Sequence, residues 1–307
     1  MKETFGQKTR RSHKRNQRVV MFWCAFVFAF VIAGVWLFRG TLFQNDSGAS
    51  SSGTNQSRHD ACGTADSRQK STDVTQAPMG HEVCQKLQDL VSQDQRVQQV
   101  IDNCEIYPED ILKMLSRNLD MLNFVLEYPE KVGQVFAETV GEVEGGEVPL
   151  LLQYDQRWGY GDYGNSSVAV SGCGPACLSM VITSLTGDDT ITPYVVAQYA
   201  SEQGYYVPGA GTAWTLMSEG AKHFGVIGEE LPLTKSIMEG VLKEGRPIIC
   251  SMRPGDFTTT GHFIVITGIK DGQFTVNDPN STERSNMLWD YDTLKPQISN
   301  LWAFQAL

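Results

Sequence analysis

The chain has 307 residues, 41% of them apolar, which is enough for one sizeable core with appendages. Its formal net charge is −10, unevenly spread: residues 1–39 carry eight Lys or Arg and one Asp or Glu, leaving 17 basic against 34 acidic side chains beyond them. An acidic body of this kind excludes nucleic acid as a partner, because phosphate binding needs a basic face.

In chain order, residues 1–18 form a basic polar tail that includes Lys2, Lys8, Arg10, Arg11, Lys14, Arg15 and Arg18. Residues 19–38 then run without a charge for twenty positions, the length of a helix across a bilayer core. Positive charge precedes the run, so the expectation is a transmembrane signal-anchor with a cytoplasmic N-terminus and the remainder outside the cell membrane. Arg39-Gly40-Thr41-Leu42-Phe43 supplies no small-residue cleavage site, which favours the uncleaved anchor over a signal peptide. Residues 39–80 are rich in Ser, Gly, Asn, Asp and Thr and are expected to be a disordered linker.

Helical spacing begins after His81, through Val83, Leu87, Leu90, Val97 and Val100. Pro108 with Glu109-Asp110 opens a second helix carrying Ile111, Leu115, Leu119, Leu122 and Val125, which Tyr128-Pro129-Glu130 is expected to stop before a shorter third. Residues 81–140 are therefore a small helical subdomain, which either packs on the rest or recognises a partner such as the cell wall. An acidic, glycine-rich connector at 141–147 leads into a final domain at 148–307.

That domain is expected to begin with a strand at 148–153 and a polar loop to Gly172. Helices follow at 173–187, 192–203, 212–224 and 234–243. Strands are expected at 247–252, 262–269, 273–277 and 301–305. Helices first and an antiparallel sheet after is an α+β order.

The chemistry centres on Gly172-Cys173-Gly174-Pro175, where a cysteine begins a helix and proline sits in the first turn. Unpaired N–H groups and the dipole there favour an anion, and the thiolate is the nucleophilic form of cysteine. The flanking glycines leave the backbone open to a substrate carbonyl. A nucleophilic cysteine needs a base, and His262 opens a strand whose hairpin partner closes at Asp278. A two-residue Asp271-Gly272 turn would set Asp278 opposite Val265, on the wrong face. A three-residue loop Lys270-Asp271-Gly272 sets it opposite Ile264, on the face of His262, and is the expected form. His223 is the rival base, and Asp278 before Pro279 could serve only a turn.

With these residues in place, 148–307 resembles the bacteriocin-processing (double-glycine) peptidase-like branch of the papain superfamily. The resemblance rests on Gln153-Tyr154-Asp155-Gln156-Arg157-Trp158-Gly159, Gly172-Cys173-Gly174-Pro175, Gly261-His262-Phe263 and Asn277-Asp278-Pro279, in that order. It implies a papain-like cysteine peptidase fold with N-terminal helices packed on an antiparallel sheet. It also implies Cys173 as nucleophile, His262 as base, Asp278 as its orienting group and Gln153 as the oxyanion-hole side chain. Transporter-borne members carry the glutamine about one helical turn before the cysteine, so Gln156 is the fallback.

The implied activity is that of a membrane-anchored stand-alone hydrolase of peptide or isopeptide bonds, with a peptide or protein substrate. A cell-wall peptide amidase or endopeptidase, and a catalytically silent surface binding protein, are the alternatives. No cofactor is called for, and Cys24, Cys62, Cys84, Cys104, Cys173, Cys177 and Cys250 show no zinc-type spacing. Cys177 and Cys250 fall in apolar stripes and are expected to be buried, whereas an extracellular compartment would permit a Cys84–Cys104 disulfide.

Overall fold

The computed structural model describes residues 81–307. The basic tail, apolar run and linker expected at 1–18, 19–38 and 39–80 lie outside the described residues. Among the described residues no helix is long and apolar enough to cross a membrane.

The expected α+β class holds. A six-stranded antiparallel sheet runs in the order Val226–Glu230, Ile298–Ala306, Ile248–Met252, His262–Lys270, Gln273–Asn277, Leu288–Trp289. Side chains alternate faces along a strand. Ile249, Val265 and Trp302 accordingly share one core with Val181 of helix Cys173–Thr186 and Val196 of helix Pro193–Glu202. Ile248, Cys250, Ile264 and Ala303 share another with Met238 of helix Lys235–Lys243. Covering both faces explains why the Ile248 strand is buried at all five positions.

Helix Cys173–Thr186 is buried from Gly174 through Thr183, so its sequence is apolar on all sides instead of amphipathic. It ends where expected, at Gly187 with φ 73°, whose N–H bonds Thr183 O at 2.9 Å. Thr192 caps the next helix, its side chain accepting from Val195 N.

Residues 81–131 fold as helices His81–Leu90, Val97–Asp102, Glu109–Leu115 and Leu122–Lys131 with two single 3₁₀ turns. Their core of Leu87, Val97, Ile111, Leu115 and Phe124 also contains Tyr154, Tyr160 and Ala169 from beyond the connector. Phe124 stacks on Tyr160 with ring centroids 4.4 Å apart. The helical segment and the following region therefore share one core. Cys84 and Cys104 are thiols, not a disulfide.

Several elements differ from expectation. The long second helix breaks at 116–118, not at Tyr128-Pro129: the Asn118 side chain accepts from Asp120 N at 3.1 Å and restarts the chain, the usual role of asparagine at a helix start. Pro129 lies inside Leu122–Lys131, in its last turn, where it costs one intrahelical bond that the burial of Leu122, Val125 and Tyr128 offsets. The stretch 148–153 is not a strand. It lies along the end of the Gln273 strand, tied by Asn277 Nδ2 to Val148 O at 2.9 Å and by Gln153 N to Pro279 O at 2.8 Å, too few bonds for a ladder. The loop to Gly172 contains a small hairpin, Asp162–Tyr163 with Ser166–Ser167, and a helical turn, Val168–Ser171. The helix expected at 212–224 divides into Thr215–Ser218 and a 3₁₀ stretch Gly220–Phe224. Both edge strands of the sheet were missed.

The hairpin loop is also a correction. Lys270 pairs with Gln273, so the turn is the two-residue Asp271-Gly272, with φ of 54° and 78° as a type I′ turn requires. The consequence drawn from the longer loop nevertheless stands. Ile266 pairs with Val276 and Gly268 with Thr275, leaving Thr267 as a bulge that shifts the register by one. Val265 then faces Asn277, and Asp278 follows opposite Ile264.

Candidate active site

Cys173 is the first residue of its helix, entered through Gly172 at φ −89°. Its glycine neighbours serve packing, not substrate approach. A Cβ on Gly172 would lie 2.4 Å from Val168 O, and one on Gly174 would lie 2.7 Å from Thr212 Oγ1. The chain's own atoms fill the space expected to lie open.

His262 Nε2 and Asp278 Oδ1 are 2.7 Å apart, both groups buried. Cys173 lines the same cleft as His262, and its sulfur is among the groups that act on the imidazole. Burial alone would push His262 down. The charge and hydrogen bond of Asp278, joined by the Cys173 sulfur, outweigh it and raise the imidazole from 6.5 to about 10. Burial would raise Asp278, but His262 and Arg284 together hold it below the ordinary carboxylate value. Such an arrangement keeps an imidazolium beside a sulfur and can deliver a proton to a departing group.

Asp278 is fixed on every side. Oδ1 also accepts from Asn280 N at 2.8 Å, Oδ2 accepts from Arg284 Nε at 2.5 Å, and the main-chain N–H donates to Ser285 Oγ at 2.9 Å. Gln153, 3% exposed, donates from Nε2 to Ala169 O at 2.5 Å and lines the same cleft as Cys173 and His262. That cleft has a volume of about 670 Å³.

Residues 146–305 match the model of the Peptidase C39 like family. The chain belongs to the C39-like peptidase family. No curated protein matches it. Among solved structures, a C39-like peptidase from Bacillus anthracis is 12% identical, with 52% of this chain and 94% of that chain covered and a TM-score of 0.31. That likeness is too low to bear on the site.

Within the C39-like region, Cys173, His262, Asp278 and Gln153 come together, whereas the alternatives go elsewhere. Gln156 Nε2 faces the helical segment, bonding Glu127 Oε2 at 2.5 Å. His223 stacks on Tyr199 at 4.2 Å and is not in the cleft. Cys177 and Cys250 are fully buried in opposite cores, and burial pushes both thiols up. Asp155 accepts from Arg157 N at 2.9 Å, and the Trp158 indole donates to Leu152 O at 2.8 Å, a turn that carries Gln153. Asp271 forms the hairpin turn. Among the described residues no group of three or more His, Cys, Asp or Glu is placed to hold a metal ion.

Sequence reasoning missed Arg284 and Asn280. Both lie just beyond Asp278 in a loop and a single helical turn, Thr282–Ser285, where no periodic pattern marks them. It also gave the helical segment no part in the cleft, although Met114, Asn118 and Leu119 line it and lie outside the family match.

Proposed function

We propose that this C39-like protein is a cysteine peptidase that cleaves a peptide or isopeptide bond through Cys173, His262 and Asp278. The observation that carries the reading is the imidazole of His262, 2.7 Å from Asp278 on one nitrogen and lining one cleft with Cys173 at the start of its helix.

The Cys173 thiolate attacks the scissile carbonyl carbon, and the carbonyl oxygen becomes an oxyanion. Gln153 Nε2 commits one N–H to Ala169 O and has a second for that oxyanion. Collapse breaks the C–N bond while His262 gives its proton to the leaving amine, which departs and leaves a thioester on Cys173. His262, now neutral, takes a proton from water as the water attacks the thioester. The acid product leaves, and the thiolate and imidazolium are restored. Asp278 holds the ring in one orientation throughout.

We further propose that residues 19–38 anchor the protein in the cell membrane with the peptidase region outside. The support is the length of the uncharged run and the basic flank before it. Membrane fractionation with external protease treatment tests this: a pelleting protein whose C-terminal region is digested on intact cells is expected, and a protein recovered in the soluble fraction overturns it.

For the activity, Cys173→Ala and His262→Ala are each expected to abolish hydrolysis of a quenched peptide library with the circular dichroism spectrum unchanged. An electrophilic peptide probe should add once, at Cys173, by mass spectrometry. Hydrolysis undiminished in Cys173→Ala removes the claim.

A further inference from the structure

Two parts of the chain line the cleft. One is polar and belongs to the loops around His262 and Asp278, including Thr258 to Thr260 and Ser281 to Thr282. The other belongs to the helical segment, where Leu90, Met114 and Leu119, only half-buried, line the cleft beside five polar residues of the same segment, and half-buried Val170 lines it too. Each of these four packs its inner side on the buried cluster of that segment.

This second wall is fixed in place. Arg117 Nη1 bonds Thr259 Oγ1 at 3.3 Å, Asn118 Nδ2 bonds Asn280 O at 2.8 Å, and the Asp120 carboxylate accepts from the Thr282 hydroxyl. The turn that breaks the long helix is thereby tied to both loops that carry the His262–Asp278 pair. A wall held in this way is organised before substrate arrives, which lowers the cost of ordering it on binding.

We infer that the helical segment, which the family match does not include, supplies an apolar subsite for a substrate side chain. Resting on the reading of Cys173 as nucleophile, the inference names the substrate class as an extended peptide with an aliphatic or aromatic residue near the scissile bond. That residue lies against Met114, Leu119 and Val170, and the hydroxyl-rich wall opposite bonds the peptide's main chain. A volume of about 670 Å³ exceeds what one side chain fills and falls within the range of ligand clefts. Methionine adapts to several apolar shapes, so the subsite selects apolar over charged residues, not one residue type.

The test uses fluorogenic peptides varied one position at a time, with iodoacetamide as a probe of the thiol in every protein. Wild type is expected to prefer apolar over acidic residues at one position by about tenfold or more in kcat/KM, the discrimination a pocket of this kind supplies. Met114→Ala with Leu119→Ala should erase most of that preference, leave peptides with polar residues there within about twofold, and leave the iodoacetamide rate of Cys173 unchanged. Met114→Gln keeps the volume of a half-exposed side chain and should give the same loss without disturbing the fold. A preference profile that stays as in wild type, with Cys173 still rapidly alkylated, overturns the subsite. Loss of rapid alkylation in the unmutated protein would instead strike at the nucleophile assignment beneath it.

Discussion

Asp278 has no exposed surface, and a carboxylate so buried must have its charge met on the spot. Two cations meet it, His262 at Oδ1 and Arg284 at Oδ2, which leaves neither oxygen free to turn away. The pH dependence follows from the directions. His262 is raised, so its share of stability is complete below about pH 6.5 and fades as the pH climbs toward about 10. Asp278 is lowered, so its share is present above the ordinary carboxylate value and is lost as acid protonates it. Asp278→Asn is expected to drop the His262 titration midpoint, followed by imidazole NMR, and to slow hydrolysis on the order of 10²- to 10⁴-fold. Arg284→Met leaves one carboxylate oxygen buried without its cation. It should destabilise by about 3 kcal/mol in chemical denaturation, with Arg284→Lys recovering part of the loss. An unmoved His262 midpoint in Asp278→Asn would mean that the pair does not act on the imidazole as described.

At the level of the hairpin, position is a matter of counting. A side-chain period of two means that one residue added to either strand moves everything beyond it to the other face. The Asp271-Gly272 turn alone would misplace Asp278, and the extra Thr267 corrects it, so turn and bulge compensate. Deleting Thr267 joins Ile266 to Gly268 and gives a regular ladder with the same pairs on either side. Hydrolysis is expected to survive within a few-fold, with a stability change of about 1 kcal/mol. Deleting Thr275 from the opposite strand shifts Asp278 by one place relative to His262 and should abolish hydrolysis while far-ultraviolet circular dichroism still reports the sheet. The same counting shows what the residues alone made legible. The Cys173, His262 and Asp278 relation was accessible because a helix start and two strand ends are marked by proline, glycine and alternating apolar residues. The bulge was not, although Gly268 beside it is a residue that often marks one inside a strand, because a glycine there does not say which strand takes the extra residue. The two-residue edge strand Leu288–Trp289 is too short for any period, and the break at 116–118 was hidden by apolar spacing that continues across it, although Asn118 signalled it.

At the scale of the whole molecule, the region recognisable as C39-like shares its core with the helices before it. Residues 146–305 contain the reacting groups, yet Tyr154 and Tyr160 are buried in the core built by residues 81–131. Tyr160 packs between Phe124 and Phe136, with Lys131 over its ring, and Gln156 reaches Glu127. The turn that carries Gln153 thus rests on the helical segment from below, while Asn118 and Arg117 tie that segment to the catalytic loops from the side. Removing residues 81–131 would expose both tyrosines and Ala169. Fully burying a large apolar side chain contributes about 1.5–3 kcal/mol, so the loss would approach the whole stability of an ordinary domain of about 5–15 kcal/mol once the cross-ties are lost as well. A fragment of residues 146–307 is therefore expected to melt far below the 81–307 body, or to aggregate, and to lose hydrolysis even though Cys173, His262 and Asp278 are all present. A fragment that melted within a few degrees of the larger body and cleaved peptides at its rate would show that the helices add nothing to the peptidase fold.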